Sequence, residues 1–254
     1  MVEFTNLSIA RTPTGNQLLA ALSRAEFSRL VPHLIPADLA RGAILYEKGE
    51  RPTHAYFPTD GIVSVTVDIS DGPPTEIAVI GSEGMIGVSI LLEDRDGPVL
   101  TRRSAVQVEG HAYRIRADIL RQEFARAGEL QRWLLRFTQA LLTQVAQTAV
   151  CNRCHDLEAQ LCRWLLQRAD RLASAEIPVT QQEIADLLGV RREGVAGAAG
   201  RLQDAGLIRY ARGHLAILDK LGLAKKGCEC RDVIRKEYAR LLGNQGPARD
   251  ENGG

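Results

Sequence analysis

Hydrophobic and polar positions follow different periods in the two halves of the chain. In residues 14–35 the apolar positions recur at helical spacing, which predicts a short amphipathic helix. Residues 40–116 instead contain short β-branched runs separated by turn sequences such as DGPP and GSEG. Short strands with Gly, Pro and Asp turns predict a small β-barrel or jelly roll. After Arg116 this punctuation almost stops as far as residue 174, so we expect helices there.

The longest helical pattern, residues 129–151, carries two apolar stripes. The second stripe contains Leu135, Thr138, Leu142, Val145 and Ala149. Because each stripe needs a surface to cover it, we expect one stripe to pack on the barrel and the other on the same helix of a second copy. The alternative is a helix buried inside a monomer. We assign the dimer interface to the first stripe, which contains Leu130, Leu134, Phe137, Leu141, Gln144 and Thr148.

Residues 156–206 contain the most specific signal in the chain. Asp156 is expected to cap one helix, and Thr180 and Glu183 form a capping box that opens a second. That second helix should end before Gly189, and a third should run from about 191 to 206. The cap, the three-residue turn and the small residues at the crossing point predict a helix-turn-helix. An ordinary helical hairpin is the alternative.

A helix-turn-helix presents the N-terminal end of its second helix to the major groove of DNA. Arg192 can donate two hydrogen bonds to guanine, and Glu193 can accept one from cytosine. Thr180 and Gln182 are placed to hold phosphates, and the hairpin predicted at 207–218 forms a wing that adds phosphate contacts. The predicted DNA-binding residues are Thr180, Gln182, Arg191, Arg192, Glu193, Arg201, Arg212 and His214.

Composition and charge agree with this division. The chain has 254 residues, 45% apolar and 25% charged, which fits a globular protein of two domains. Residues 1–110 hold 9 Lys/Arg against 14 Asp/Glu, whereas residues 178–242 hold 12 against 8, which indicates a basic end suited to a polyanion. We find no secretion signal, no apolar run of membrane-spanning length and no catalytic motif. We therefore expect a cytoplasmic protein that is not an enzyme and has no membrane partner.

An acidic β-roll, a long helix and a C-terminal winged helix-turn-helix, in that order, resemble the cyclic-AMP receptor/fumarate-nitrate regulator (Crp/Fnr) family of bacterial transcription factors. The strongest stretch is VTQQEIADLLGVRREGV. The resemblance implies an α+β fold with a jelly roll of the cyclic-nucleotide-binding type, and a homodimer that binds a two-fold operator in double-stranded DNA. It also implies RNA polymerase as a candidate partner, and Arg192 and Glu193 as the base-reading pair. Where cyclic-AMP-responsive members have an arginine, this chain has Gly197.

These patterns divide the chain into five segments. They are a flexible N-terminus (1–16), a sensory domain (17–128), a dimerisation helix with a hinge (129–155), a winged helix-turn-helix domain (156–242) and a disordered tail (243–254).

The resemblance also locates an effector pocket. Family members that bind cyclic nucleotides hold the ribose with a Gly-Glu pair, whereas this chain has Val88 after its glycine. Val145 and Ala146 stand where polar residues contact the base, so we expect an effector other than cyclic AMP and no cofactor. Arg103 either binds another anion or is stabilised by a nearby carboxylate. The predicted pocket residues are Gly84, Gly87, Val88, Ser89, Arg103 and Ser104.

Five cysteines leave one alternative open. Cys151, Cys154 and His155 lie within one turn, and Cys228 and Cys230 form a second close pair. Haem attachment needs export, and a zinc or iron–sulfur site needs about four converging ligands. We interpret the cysteines as small buried residues at a hinge and predict no metal. The alternatives are a metal- or redox-sensing regulator, and a cyclic-nucleotide-binding module that acts through protein contacts alone.

Overall fold

The computed structural model of the chain describes residues 12–69, 72–92, 101–174, 176–211 and 213–243. Most of the predicted flexible N-terminus and tail, and the predicted DNA contact Arg212, lie outside these residues.

The predicted helix at 14–35 is divided into α1 (Gln17–Ala20) and α2 (Arg24–Leu30). The division falls at Ser23, whose extended backbone begins the second helix. The buried side chain of Asn16 caps α1 and donates to two carbonyls of the barrel, at 2.8 and 2.9 Å. This amide therefore holds the lead-in segment against the barrel.

The predicted β-roll is confirmed, and its described strands form two antiparallel sheets. The sheet orders are β1-β7-β3 and β2-β6-β4-β5. Two short helices accompany them, α3 (Ser89–Leu92) and α4 (Ala117–Ala125). The strands are β1 (Ile35–Leu39), β2 (Ile44–Tyr46), β3 (His54–Pro58), β4 (Ile62–Ile69), β5 (Gly72–Ile80), β6 (Arg103–Val108) and β7 (Gly110–Arg116).

The run at 104–115, which reads as one strand, changes sheets between β6 and β7. Gly110 permits this corner, because a Cβ there would lie 2.7 Å from the backbone nitrogen of Gly61 and would also collide with Asp60. The absence of a side chain thus lets two loops touch and closes the end of the roll.

The long helix α5 (Glu129–Cys154) forms as predicted, but the assignment of its two stripes is wrong. Five of the six residues predicted at the dimer interface are at most 6% exposed, and Leu141 packs against the same core. Gln144 does not set a dimer register, because its amide exchanges hydrogen bonds with the backbone of Val79 on β5. The second stripe is the open one, with Leu135 47% and Leu142 59% exposed.

A second core lies in the C-terminal part of the chain. It contains a helix-turn-helix and a three-stranded sheet of order β8-β10-β9, in which β9 and β10 are the predicted wing hairpin. The helices are α6 (Leu157–Ala169), α7 (Gln181–Leu188), α8 (Arg192–Asp204) and α9 (Lys220–Lys226), and the strands are β8 (Glu176–Pro178), β9 (Ile208–Ala211) and β10 (His214–Ile217).

The last helix, α10 (Cys230–Leu242), leaves this second core and packs along α5. Its Tyr238 and Leu242 join the core of the sensory domain. The predicted DNA-binding domain at 156–242 is therefore too long by packing, because its final helix covers the stripe that we had assigned to a second copy. No helix among the described residues has the length and apolarity needed to cross a membrane.

Candidate nucleic-acid interface and sensory cavity

Local caps fix the helix-turn-helix as predicted. Thr180 and Glu183 form the reciprocal capping box, and Gly189 ends α7 with a φ of +67°. Ala185, at the crossing of the two helices, has no exposed surface. The turn therefore sets α8 across α7 with its first residues in solvent.

The start of α8 is an exposed charged surface. Arg191, Arg192 and Glu193 are all exposed, and the free backbone N–H groups of the helix end point the same way. Arg192 lines a shallow depression of about 360 Å³ together with the start of α7 and Tyr210 of the wing. Three elements thus meet at one place, as a DNA-binding surface requires.

The start of α7 has a structural role as well. The Thr180 side chain accepts the Glu183 backbone N–H at 3.1 Å, and Gln182 donates to Asp186 at 2.8 Å. Both lie on the depression described above, where they can also meet a phosphate. Their prediction as phosphate contacts stays a prediction.

The wing places His214 on its exposed surface at the start of β10. Tyr210, which the sequence patterns did not single out, lies opposite in the depression and donates its hydroxyl to the Val179 carbonyl at 3.0 Å. Its position in a strand facing the first helix could have identified it.

Arg201 is an exception among the predicted DNA contacts. Its Nε is 2.6 Å from Glu158 Oε2 on α6, so its guanidinium points away from the start of α8. Lys226 shares the same carboxylate at 3.2 Å. The prediction of Arg201 is corrected accordingly, because an ion pair between helices uses its charge.

The glycines of α8 differ in their surroundings. A Cβ at Gly194 would lie 2.8 Å from Leu157, so this glycine permits α6 to pack closely. Gly197 is exposed on the same side as Arg192 and Glu193, and a Cβ at Gly200 would meet nothing within 4 Å.

A cavity of about 170 Å³ lies between the barrel and α5. Four of the predicted pocket residues line it, namely Gly87, Val88, Ser89 and Ser104. The helix contributes Thr138, Leu141, Leu142 and Val145, so most of the surroundings are apolar. Thr138 already donates its hydroxyl to the Leu134 carbonyl at 2.7 Å. The cavity therefore suits a small molecule with few polar groups better than a ribose.

Two predicted pocket residues do not line this cavity. Arg103 places its Nε 3.3 Å from a carboxylate oxygen of Glu47, and the neighbouring Arg102 lines the cavity instead. A Cβ at Gly84 would collide with the ring of Phe137, so Gly84 permits α5 to approach the barrel. Both predictions are corrected, because each residue is occupied by a packing partner.

A buried ion pair joins the cavity domain to the helix-turn-helix domain. Arg168 of α6 has no exposed surface and binds Glu76 of β5 with an Nη2–Oε2 distance of 2.5 Å. Its guanidinium also stacks on Trp164, 3.4 Å from the ring centroid. Burial lowers the pKa of Arg168 to about 10, although the Glu76 carboxylate acts in the opposite direction. A second contact, between Arg41 and Glu183 at 2.9 Å, connects the barrel to α7.

The structure brings four of the predicted metal-ligand candidates together and leaves one apart. Cys151, His155, Cys228 and Cys230 place their ligand atoms within 4.8 Å of one another. Cys154 is exposed and lies outside this group. The convergence joins the end of α5 to the segment between α9 and α10.

Comparisons with known proteins match both halves of the chain. A family profile described as a Crp-like helix-turn-helix domain matches residues 159–226, and one described as a cyclic nucleotide-binding domain matches residues 37–127. A curated relative, a CRP-like cAMP-activated global transcriptional regulator of Mycobacterium tuberculosis, is 26% identical over 204 residues, which span 78% of this chain and 90% of the relative.

Solved structures share the fold along most of the chain. A transcriptional regulator of the Crp/Fnr family from Eubacterium rectale superimposes with a TM-score of 0.64 at 17% identity, covering 85% of this chain and 97% of that one. FixK2 from Bradyrhizobium japonicum gives a TM-score of 0.63 at 16% identity, covering 77% and 98%.

Proposed function

The chain belongs to the Crp/Fnr family of DNA-binding transcription regulators, and from this premise we propose that it acts as a homodimer on a two-fold symmetric operator. The observation that carries the proposal is the exposed start of α8, where Arg191, Arg192 and Glu193 meet the start of α7 and the wing. Such a regulator works where genomic DNA lies, so we place it in the cytoplasm, with RNA polymerase as a further partner.

Chemistry assigns roles to the exposed residues. A guanidinium donates two parallel hydrogen bonds to guanine O6 and N7, and a carboxylate accepts from cytosine N4, so Arg192 and Glu193 read bases. Arg191 and His214 are positioned for phosphates, which fix the register but carry no sequence information. The helix dipole at the start of α8 adds attraction for the DNA backbone.

The open stripe of α5 provides the dimer interface. Leu135 and Leu142 are exposed apolar residues on one face, with Thr138, Val145 and Ala149 between and beyond them. Pairing this face with its copy removes apolar surface from water and sets two α8 helices side by side. We expect half-sites about 34 Å apart, one turn of the duplex.

Selection of bound sequences from a random DNA pool tests the reading of bases. Arg192→Ala should weaken operator binding by about 1–3 kcal/mol and relax the preference at one base pair. Arg126→Ala, which removes an exposed arginine from the sensory domain, is the matched control and should leave binding unchanged. A wild-type ratio of operator to random-sequence affinity in Arg192→Ala would contradict the assignment.

Sedimentation analysis tests the dimer separately. Leu135→Glu places a charge on the open stripe and should convert the protein into monomers, because burying unpaired like charges costs several kcal/mol. Leu221→Glu changes a leucine that is 77% exposed on α9 and should leave the dimer intact. Dissociation by both variants or by neither would contradict the assigned interface.

The sensory cavity is proposed to bind an effector other than cyclic AMP. Val88 presents methyl groups where a ribose-binding site needs an acceptor, and Val145 adds a further apolar surface. Arg102 is the cation available to an acidic effector. Because the M. tuberculosis relative is named as cAMP-activated, cyclic AMP is the first ligand to titrate by calorimetry. Saturable binding, or tighter operator binding in its presence, would contradict the proposal.

A further inference from the structure

Four soft ligand atoms converge where the long helix ends. Cys151 and His155 lie one turn apart at the end of α5, while Cys228 and Cys230 come from the segment that leads into α10. The Cys151 and Cys228 sulfurs are 3.6 Å apart, and Cys230 Sγ is 3.5 Å from His155 Nδ1. All four atoms lie within 4.8 Å of one another.

These separations match the edges of a zinc tetrahedron. With Zn–S bonds of about 2.3 Å and Zn–N bonds of about 2.05 Å, tetrahedral geometry requires S···S edges of about 3.8 Å and S···N edges of about 3.6 Å. The measured 3.6 and 3.5 Å are close to both values. A disulfide requires about 2.05 Å between sulfurs and leaves the other two groups without a role.

The surroundings supply the contacts that zinc ligands usually have. His155 turns Nδ1 toward the sulfurs while its Nε2 lies 3.5 Å from a carboxylate oxygen of Glu229, an arrangement typical of metal-bound histidines. Gln147 donates an N–H to Cys230 Sγ at 3.2 Å. Arg163, which is 3% exposed, interacts with the Cys151 sulfur. Three thiolates and one Zn²⁺ carry a net charge of −1, which this buried guanidinium offsets.

A packing role or an iron–sulfur cluster accounts for less of this arrangement. Cys162 shows what a purely packing cysteine looks like here, because it is fully buried in the apolar second core. An iron–sulfur cluster distributes its ligands over several irons, so its ligand atoms lie farther apart than those of a single ion. A soft ligand set gathered around one point favours a four-coordinate mononuclear site.

We propose that Cys151, His155, Cys228 and Cys230 bind one Zn²⁺ ion in tetrahedral coordination. The ion fastens the start of α10 to the end of α5, at the hinge between the two domains. It thereby holds in place the helix that covers the buried stripe of α5. Metal binding here does not depend on DNA, so its test is independent of the proposed function.

Metal analysis of the full-length protein, purified under reducing conditions without added metal, is the first test. The wild type should contain about one zinc per chain, whereas Cys228→Ser and Cys230→Ser should lose most of it. Cys154→Ser is the matched control, because it removes a cysteine three residues from Cys151 that lies outside the group, and it should retain full zinc. Glu229→Gln should weaken zinc affinity roughly tenfold while leaving all four ligands.

Cobalt replacement tests coordination in the wild type and so does not depend on whether a variant folds. Addition of Co²⁺ to chelator-treated protein should produce thiolate charge-transfer bands and the strong visible absorption of a tetrahedral ion, both abolished by excess Zn²⁺. Metal-free wild type that gives no such spectrum would overturn the proposal. A Cys151–Cys228 disulfide in anaerobically purified protein, equal zinc loss in Cys154→Ser, or iron in place of zinc would overturn it as well.

Discussion

Helices α6 and α8 each contain 13 residues, pack against each other and carry arginines, yet their arginines have opposite environments. On α6, Arg163 and Arg168 are 3% and 0% exposed. On α8, Arg192 is exposed at the helix start. The same residue type therefore serves two purposes within one small domain.

The difference shows how burial decides what an arginine does. A buried guanidinium must be paired, so Arg168 is committed to Glu76 and ties α6 to the sensory sheet. An exposed guanidinium keeps its donors available for a partner outside the chain. Because α6 supports α8, the fixed arginines determine where the available ones are presented.

Breaking the buried pair should have the largest effect. Glu76→Gln leaves the charge of Arg168 buried without a counter-charge, and removing one partner of a buried pair costs about 3–5 kcal/mol of folding free energy. Chemical denaturation, followed by circular dichroism, measures the loss. Asp118→Asn is the control, because it removes the partner of the exposed Arg116 and should not shift the midpoint measurably. Equal losses in the two variants would show that burial does not distinguish these arginines.

Elements set by local chemistry were predictable from the sequence. The bounds of α7 and α8 follow from the capping box at Thr180 and the left-handed Gly189, since both signals lie within a few residues of the helix ends. The exposed start of α8 follows from the same local rules. The wing hairpin was also predictable, because its turn and both strands are adjacent in the chain.

Contacts between distant segments were not predictable. Periodicity showed two apolar stripes on α5 but could not tell which one α10 covers, because no pattern connects residue 144 to Tyr238. The same limit applies to Arg168 and Glu76, which are separated by 92 residues. For the metal ligands, spacing suggested Cys154 as a member, whereas the fold recruited Cys228 and Cys230.

Glycines of α8 allow a smaller and more specific test of the exposed side. Gly197→Ala and Gly200→Ala should each stabilise the helix by up to about 1 kcal/mol, because alanine favours helix and neither new Cβ meets a close contact. If DNA approaches the side that carries Arg192, only Gly197→Ala should weaken operator binding, by roughly tenfold or about 1.4 kcal/mol. Fluorescence anisotropy with labelled operator measures this. Equal affinities in the two variants would place the DNA elsewhere.

The smallest effect is expected at Arg201, whose environment lies between the two extremes. It is exposed but paired with Glu158, and Lys226 remains beside that carboxylate when Arg201 is removed. Arg201→Ala should therefore cost about 0–1 kcal/mol of stability, as surface pairs do, and leave operator binding unchanged. Arg191→Ala, by contrast, should reduce the slope of log affinity against log salt by about one, because one phosphate contact is lost. A comparable reduction in Arg201→Ala would mean that this arginine leaves Glu158 for a phosphate when DNA binds, and the division between committed and available arginines would then hold only for the free protein.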